Sequence, residues 1–237
     1  MPKVSKRGFE ESDKRFFSKK EIIRLKKAKE EVEYLINRDY KLDPIVTFVS
    51  NRYQFSNRQR DCLKRVACTT TNINLRRSKR LPIENINQET INIDGFNLII
   101  TVEVALSKGT LILGSDGNIR DLAGLRGTYK IIDKTIKALE IIGRCLDDNN
   151  CKKAIFYLDK PVSNSGNLRY EILEASKNWH TEVEVNLVNN ADVILEKLDN
   201  VVSSDALIID KCIRYFNLSK EIIDKYIDEI TLIDLNK

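Results

Sequence analysis

The sequence predicts an α/β protein, in which a small all-α domain precedes a mostly parallel sheet with helices on both faces. Apolar residues recur at helical spacing between residues 18 and 68, and from residue 90 short β-branched runs alternate with helical stretches. Such alternation is typical of parallel strands joined by crossover helices. The charge also changes, because residues 1–90 hold 22 Lys and Arg against 12 Asp and Glu, whereas the remainder holds 18 against 23.

The all-α part is predicted from helix-start signals as well as from periodicity. Ser18 and Glu21 have the spacing of a capping box and precede a helix expected over 18–37. A second short helix is expected in "LDPIVTFVSNRYQ", and a third after the capping box of Ser56 and Gln59. These signals define a basic helical domain at 18–68.

The two segments that flank this helical domain lack periodicity. Residues 1–17 are polar, and we expect a flexible N-terminus there. The stretch "TTTNINLRRSKRLPIENINQET" combines turn-forming residues with arginine pairs. We therefore expect a linker or basic loop at residues 69–89. The α/β domain then occupies 90–237.

The α/β domain is assembled from short apolar runs. The expected strands are "TINID", "GTLIL", "KAIFYLD", "TEVEVNLV", "NVVSSD" and a last one at "TLIDL". The expected helices are "TYKIIDKTIKALEIIGRCL", "NLRYEILEASKNW", "ADVILEKL" and "SKEIIDKYIDEI". The segment "LIITVEVAL" is β-branched like a strand, but it follows "TINID" after a three-residue gap, so we predict a helix against its local propensity.

Four aspartates stand at strand ends or at strand-to-helix junctions. They are Asp94, Asp159, Asp192 and Asp205. Because ligands of open parallel sheets bind outside the carboxyl ends of the strands, we expect these acids to gather at one edge. Each alone is typical of a helix N-cap or turn, so an individual structural role stays open.

A cluster of carboxylates has a chemical consequence. Like charges within about 4–6 Å disfavour ionisation, and a divalent cation removes that conflict. Ligands that are all oxygen suit Mg²⁺ or Mn²⁺, which can activate water and stabilise charge on a phosphodiester. The four acids are therefore the predicted metal ligands and catalytic residues.

Other catalytic classes lack the residues they need. His180 is the only histidine, so serine–histidine triads and zinc sites with several histidines are nearly excluded. No Walker loop is present, which argues against nucleoside triphosphate hydrolysis. The five scattered cysteines form no CxxC pair and indicate reduced thiols, and no apolar run suits a membrane span or secretory signal. We expect a cytoplasmic protein without a membrane partner.

Phosphate-binding groups are expected beside the acids. The stretch "DKPVSNSGNLRY" follows a strand and opens a helix, whose N-terminal amides favour phosphate. Its candidates are Lys160, Ser163, Asn164 and Ser165, and Arg120 is a further cation that could offset phosphate charge. A solvated turn with helix caps is the alternative interpretation.

The basic half supplies candidates for binding a nucleic-acid backbone. They lie in or beside one predicted helix and are Arg52, Arg58, Arg60, Lys64 and Arg65. Tyr53 and Phe55 lie nearby, and cations near aromatic rings suit backbone contacts with some base stacking. A solvated helix face is the alternative.

The order "IDGFN", an acid after a mid-domain strand, "ADVILEKL" and "VVSSD" resembles the acids of the PIN-like nuclease superfamily, especially its NYN branch. The resemblance implies a Rossmann-like fold and Mg²⁺- or Mn²⁺-dependent phosphodiester hydrolysis, usually on RNA. Asp94, Asp192 and Asp205 match best, Asp159 is a plausible fourth, and Asn97 would orient the first acid or a phosphate.

The sequence departs from that branch at Leu207, where a second acid often stands. The chain also resembles an uncharacterised prokaryotic family in which a basic helical part precedes such a domain. The stretches that carry this second resemblance are "NRYQFSNRQRDCLKRVAC", "IDGFNLIITVEVAL", "RDLAGLRGTY" and "DKPVSNSG".

These observations favour a metal-dependent nuclease, with RNA as the expected substrate and DNA as the alternative. A non-catalytic module that binds nucleic acid or a protein on the same fold is the alternative, motivated by Leu207. A phosphohydrolase of small molecules competes poorly, because the basic half would then have no role. The oligomeric state stays open.

Overall fold

The computed structural model of the chain describes residues 6–125 and 127–236. Its α-helices are α1 (Asp13–Phe16), α2 (Lys19–Ile36), α3 (Leu42–Tyr53), α4 (Asn57–Val66), α5 (Thr70–Lys79), α6 (Gly95–Leu106), α7 (Asp133–Asp148), α8 (Ser165–Ala175), α9 (Ala191–Leu195), α10 (Ala206–Lys211) and α11 (Leu218–Tyr226). Its strands are β1 (Arg80–Leu81), β2 (Thr90–Asp94), β3 (Thr110–Leu113), β4 (Ile119–Asp121), β5 (Lys153–Asp159), β6 (Glu182–Val188), β7 (Val201–Val202), β8 (Tyr215–Phe216) and β9 (Thr231–Asp234). Short 3₁₀ helices cover Ile83–Ile86 and Ser176–Asn178.

The large sheet is six-stranded and has the order β1-β8-β7-β2-β5-β6. All of its strand pairs are parallel. The chain builds outward from β2 through β5 to β6, and then returns to the other side of β2 with β7. This reversal beside β2 is a topological switch point, where open α/β sheets bind their ligands. The predicted Rossmann-like α/β fold is confirmed.

Both faces of the large sheet are covered by helices. In β5 the side chains alternate between the two sides, as the pleat requires. Phe156 and Leu158 belong to the main core, where α6, α7, α8 and α11 pack. Tyr157 packs against a smaller cluster that includes Leu195 and Ile208, from α9 and α10.

The segment "LIITVEVAL" is helical, as the topology argument predicted. It lies in α6, a helix of 12 residues that contacts α7 and α11 as well as the strands β2 and β5 and the small sheet. Ten of its residues are buried, so it carries no polar stripe that would identify a surface helix. Burial on nearly all sides explains why its local sequence resembles a strand.

Two of the predicted strands form a separate small sheet of order β4-β3-β9, rather than extending the large one. In β3, Leu111 packs into the main core, whereas Ile112 packs into a second cluster with the N-terminal helices. Ile233 of β9 joins that second cluster. The N-terminal helices therefore share a core with the small sheet.

The expectation of a linker or loop at 69–89 is wrong. Thr69 caps α5 by accepting a hydrogen bond from the Asn72 amide over 3.1 Å, and β1 pairs with β8 at the edge of the large sheet. Arg76 of α5 is buried and makes ion pairs with Asp116 and Asp210. The partners of these polar residues lie far away in sequence, which is why the segment resembles a loop locally.

The N-terminal segment is also more ordered than expected. The first five residues of the predicted flexible segment 1–17 lie outside the described residues. Beyond them, Asp13 of α1 is buried and pairs with Arg58, and the Arg7 amide donates to Ser107 Oγ over 3.1 Å. These contacts attach residues 6–17 to α4 and to the end of α6.

The predicted helices at 18–37 and 42–54 are present as α2 and α3. The capping box of Ser56 and Gln59 is confirmed at the start of α4, but the Ser18 side chain makes no capping hydrogen bond. Glu21 is engaged by Arg24 and Gln59 instead. No helix within 6–125 or 127–236 combines the length and apolarity that crossing a membrane requires.

Candidate active site

The four predicted acids lie along the carboxyl edge of the large sheet. Asp94 and Asp159 are the last residues of β2 and β5, which pair directly in parallel register. Asp205 follows β7, whose Val202 is opposite Ile93 of β2. Asp192 lies in the first turn of α9, just after β6. The parallel topology thus brings residues that are more than 100 positions apart to one edge.

Asp94 is the most enclosed of the four, with 8% of its surface exposed. Its Oδ1 accepts a hydrogen bond from the Asn97 amide over 3.3 Å, and its Oδ2 accepts one from Ser203 Oγ over 2.9 Å. Burial raises the pKa of Asp94 to about 7, and the Asp192 and Asp205 carboxylates add to the rise, while the two hydrogen bonds oppose it. The two hydrogen bonds fix the orientation of the carboxyl group, but they do not offset the cost of burying its negative charge.

Asp192 is affected in the same way. Partial burial of its carboxyl group raises the pKa of Asp192, and the charges of Asp205 and Asp159 raise it further. Among residues 6–125 and 127–236, no Lys, Arg or His forms an ion pair with Asp94, Asp159, Asp192 or Asp205. The edge therefore holds several carboxylates without a protein counterion.

Three of the acids also have local structural roles. Asp94 and Asp205 cap α6 and α10, since Asp205 Oδ1 accepts from the Leu207 amide over 2.7 Å. Asp159 Oδ1 accepts from the Ala191 amide over 2.8 Å and so ties β5 to the start of α9. The structure supports the capping interpretation for these residues individually, and it places them together as well. One role does not exclude the other, because a carboxylate has about four lone-pair sites.

The donor set fits a hard divalent cation in its chemistry, since every candidate ligand is a carboxylate oxygen. In their present rotamers, however, no three His, Cys, Asp or Glu side chains of the described part are grouped closely enough to hold an ion together. Mg²⁺ usually takes one or two carboxylates and keeps several waters, so a set of three is not required for it. Asp94 and Asp205 are the two acids joined through one side chain, because Ser203 Oγ donates to Asp94 Oδ2 and accepts from the Asp205 amide.

A second hydrogen-bonded chain positions the segment after β7. Asn97 Oδ1 accepts from the Ser204 amide over 2.9 Å and from Ser204 Oγ over 3.0 Å. Arg120 Nε donates to the Ser204 carbonyl over 2.8 Å, and its two Nη atoms bind Asp116 over 2.9 and 2.7 Å. Arg120 is thus buried and fully engaged, which argues against its predicted role in offsetting phosphate charge.

A cavity of about 390 Å³ adjoins this edge of the sheet. Its walls come from both parts of the chain. The α/β side contributes Asn97, Arg120, Ser204, Asp205 and Leu207. The N-terminal side contributes Tyr40, Lys64, Arg65, Asn72 and Arg76. Cys68 also lines the cavity, but burial raises the pKa of its thiol to about 11, so it is not a nucleophile at neutral pH.

The predicted backbone-binding cations divide into two groups. Lys64 and Arg65 line the cavity. Arg58 is buried against Asp13 and the Leu122 carbonyl, and Arg60 binds the Phe55 carbonyl and Asn51. Both are therefore structural.

Arg52 lies away from the cavity, where its Nη1 pairs with Glu31 over 3.0 Å. The two aromatic rings that were expected to stack on bases already pack against other side chains. Tyr53 and Phe55 stack on each other with centroids 5.2 Å apart, and Arg24 packs over both rings. The aromatic and cationic residues that the sequence singled out here stabilise the helical domain.

The turn that was predicted to bind phosphate is engaged by its neighbours. Ser163 forms an isolated parallel β-bridge with Thr128 through its backbone. Asn164 Nδ2 donates to the Tyr129 carbonyl over 2.8 Å. Ser165 is buried, and its Oγ donates to the Lys160 carbonyl over 3.2 Å. None of Lys160, Ser163, Asn164 and Ser165 lines the cavity beside Asp205. This stretch is held by its own hydrogen bonds, Asn164 makes no side-chain cap at the start of α8, and phosphate binding here stays a prediction.

Sequence reasoning missed the serines of "VVSSD" as site residues. Ser203 Oγ links the two central acids, because it donates to Asp94 and accepts from the Asp205 amide over 3.0 Å. Ser204 links Asn97 to Arg120. Two small polar residues between a buried strand and a capping aspartate are the signal that could have found them.

The fold and the site define a class: a Rossmann-like α/β protein whose acidic edge adjoins a cavity walled by N-terminal helices. Residues 83–221, more than half of the chain, match the family described as "Domain of unknown function (DUF5616)", and the chain belongs to that family. Residues 24–79 match the family described as "Protein of unknown function (DUF434)". The cavity is lined from both matched regions.

One similar protein comes from Methanocaldococcus jannaschii and is named "Uncharacterized protein MJ0935". It is 40% identical over 186 residues, which cover 78% of this chain and 88% of that protein. No solved structure matches the chain. None of these descriptions names an activity, so the resemblance to the PIN-like nucleases stays a prediction.

Proposed function

We propose that the chain is a metal-dependent phosphodiester hydrolase that acts on RNA in preference to DNA. The observation that carries this proposal is the uncompensated acidic edge at the switch point of the sheet. Asp94 is buried beside Asp192 and Asp205, and no cationic side chain of the described residues pairs with any of them. Burying like charges without a partner is costly, and a hard divalent cation offsets that cost.

Asp94 and Asp205 are the residues that would hold Mg²⁺ or Mn²⁺, with Asp192 and Asp159 at the margin of the site. A bound ion supplies a water of lowered pKa and stabilises charge that develops on the phosphoryl oxygens. Ser203 and the Asn97 amide fix the orientation of the Asp94 carboxylate. The Asn97 side chain accepts hydrogen bonds from Ser204. These bonds fix the position of the segment after β7, which carries Asp205, relative to the end of β2, which carries Asp94.

The basic side of the cavity supports a polyanionic substrate. Lys64 pairs with Asp43, an ion pair whose side chains are 42% and 76% exposed, and such pairs exchange readily for another anion. Among the described residues, the Arg65 guanidinium has neither an ion pair nor a side-chain hydrogen bond. The five cysteines are free and buried, which agrees with a cytoplasmic location.

A non-catalytic module on the same fold is the second candidate, and a specific observation favours it. Leu207 occupies the position of an additional acid and is 66% exposed. Asp210 does not replace that acid, because it pairs with Arg76 over 2.6 Å. A site with fewer carboxylates would bind an ion weakly or not at all.

The decisive experiment measures cleavage of fluorescent single-stranded RNAs of varied sequence by the full chain with Mn²⁺, Mg²⁺ or EDTA. We expect cleavage with the metals only, and a loss above about 100-fold in Asp94→Asn and Asp205→Asn, because changes in groups around metal ligands already cost 10–100-fold. Asp228→Asn, a change at an exposed aspartate, is the matched control. If no RNA is cleaved and Mn²⁺ does not change the melting temperature, the hydrolase proposal is wrong and the non-catalytic module is the remaining candidate.

A further inference from the structure

We propose that the cavity between the N-terminal helices and the acidic edge binds one nucleotide unit of a single-stranded nucleic acid, with Tyr40 stacking on its base and Arg65 holding its phosphate. This inference rests on the proposed function and deepens it, because it names the strandedness of the substrate and a binding site beside the carboxylate edge. It rests on Tyr40 and Arg65, neither of which is a candidate metal ligand.

The size of the cavity limits what it can hold. A volume of about 390 Å³ lies at the lower end of the roughly 300–1,000 Å³ typical of small-molecule pockets. That space suits one base with its sugar, and it does not suit two paired bases with both backbones. A single strand can place one unstacked base there, whereas a duplex would have to melt first.

The mouth of the cavity carries two exposed apolar side chains. Tyr40, in the turn between α2 and α3, is 56% exposed, and Leu207 of α10 is 66% exposed. One comes from the N-terminal helices and the other from the α/β part. Aromatic rings stack on bases of any sequence, since every base has a π face, and an apolar neighbour adds to the burial.

The charges of the cavity are arranged asymmetrically. Arg76 and Arg120 are neutralised by Asp116 and Asp210, so they add little free charge. Lys64 and Arg65 supply cations from the N-terminal helices, while Asp205 supplies a carboxylate from the α/β part. A strand that crosses the cavity would have a phosphate at Arg65 and the next part of its backbone near the carboxylate edge.

Two helices that line the cavity, α5 and α10, are held together by ion pairs and hydrogen bonds. Arg76 of α5 binds Asp210 of α10 with two hydrogen bonds, of 2.6 and 2.8 Å, and Lys79 Nζ donates to the Asp210 carbonyl over 2.6 Å. Asn72 Nδ2 donates to Asp210 Oδ2 over 3.2 Å. The buried ion pairs fix α5 against α10, so the cavity exists before a ligand arrives, and less entropy is lost on binding.

The test is fluorescence polarisation with the full chain in EDTA, where metal-dependent cleavage cannot occur. The probes are a short fluorescein-labelled oligouridylate, its deoxy counterpart and a duplex of the same length. The variants are Tyr40→Ala, Tyr40→Phe and Arg65→Ala. Tyr170→Ala and Arg77→Ala are matched controls, because both residues are exposed and lie outside the cavity.

We expect the single strand to bind, and Tyr40→Ala and Arg65→Ala to weaken binding by about tenfold or more, in line with alanine substitutions at stacking and phosphate contacts. Tyr40→Phe keeps the ring and should bind like the unchanged protein. The control variants should change binding by less than about twofold, as expected for cations and rings outside a contact. Comparison of the ribo and deoxy probes shows whether the 2′-hydroxyl contributes.

The inference is overturned if the single strand fails to bind, if the duplex binds equally well, or if Tyr40→Ala and Tyr170→Ala have equal effects. Because binding is measured without metal, its outcome is separable from that of the proposed hydrolysis. Specific binding without cleavage would remove only the hydrolase proposal. Cleavage that survives unchanged in both Tyr40→Ala and Arg65→Ala would remove only this inference.

Discussion

Replacing Asp94 by asparagine separates the stability of the fold from the proposed activity. Asparagine retains the shape of the side chain and an oxygen that can accept from the Asn97 amide, but it removes the buried charge. Its amide nitrogen cannot accept from Ser203 Oγ, so one hydrogen bond is lost, at a cost of about 1 kcal/mol. The substitution should therefore abolish cleavage and still give a protein that is more stable at neutral pH.

The size of the expected gain in unfolding free energy follows from the pKa of Asp94. Burial raises the pKa of Asp94 from its ordinary 3.8 to about 7. At about 1.4 kcal/mol for each pKa unit, the stability contributed by the neutral form amounts to roughly 4 kcal/mol. Because the folded-state pKa is the higher one, this contribution is complete below pH 3.8 and is lost as the pH rises through about 7. Asp94→Asn avoids the loss and should be about 3 kcal/mol more stable above pH 8.

The assay is urea unfolding of the unchanged protein and Asp94→Asn at several pH values between 4 and 8, in EDTA. The difference in unfolding free energy should change by about 1.4 kcal/mol per pH unit up to pH 7 and then become constant. Mg²⁺ should stabilise the unchanged protein at pH 8, by about 2.7 kcal/mol at a concentration 100 times its dissociation constant, and should not stabilise the variant. Equal pH slopes in the two proteins would refute the claim that Asp94 is buried without a counterion.

Three further substitutions test other parts of the structure. Ser203→Ala removes the hydrogen bond that lowers the pKa of Asp94, so the pH at which stability falls should move above about 7 and metal-dependent cleavage should drop about tenfold; an unchanged pH profile would contradict this. Arg76→Ala leaves Asp210 without its cation and Asp116 with Arg120 alone, and urea unfolding should show a loss of about 3–5 kcal/mol; a loss below about 1 kcal/mol would mean that the pairs are not buried. Gly143→Ala would place a Cβ in collision with the Trp179 ring, so it should destabilise by about 1–3 kcal/mol despite the better helix propensity of alanine, and a higher melting temperature would be inconsistent with this packing.

The acids of the candidate site were predictable, whereas most of the cations were not. An aspartate at the end of a β-branched run lies at the carboxyl edge whatever the rest of the molecule does, because the chain leaves a parallel strand there. The function of an arginine depends on what it meets. Arg58 and Arg120 meet buried carboxylates and carbonyl groups, so cations that looked available for phosphate are structural.

The N-terminal part shows the same limit at the level of domains. Its helices were predictable from periodicity, as in α2, and from the capping box that starts α4. Its relation to the rest was not, because the contacts that join them are distant in sequence. Arg76 and Asp210 are 134 positions apart, and Ile112 packs with the helical cluster although it belongs to a strand of the second part. The basic helices are therefore one wall of the cavity rather than a separate nucleic-acid grip.

The sequence alone determined the α/β class, the helical start and the row of aspartates, since each of these depends on periodicity or on a residue's place beside its own strand or helix. Tertiary structure decided which charges are neutralised, how the three strands of the small sheet pair, and that Tyr40 and Leu207 share a cavity. The physical reason is the range of the interactions. Hydrogen bonds, ion pairs and packing act over a few ångströms in space, and the separation of two residues along the chain does not specify their distance there.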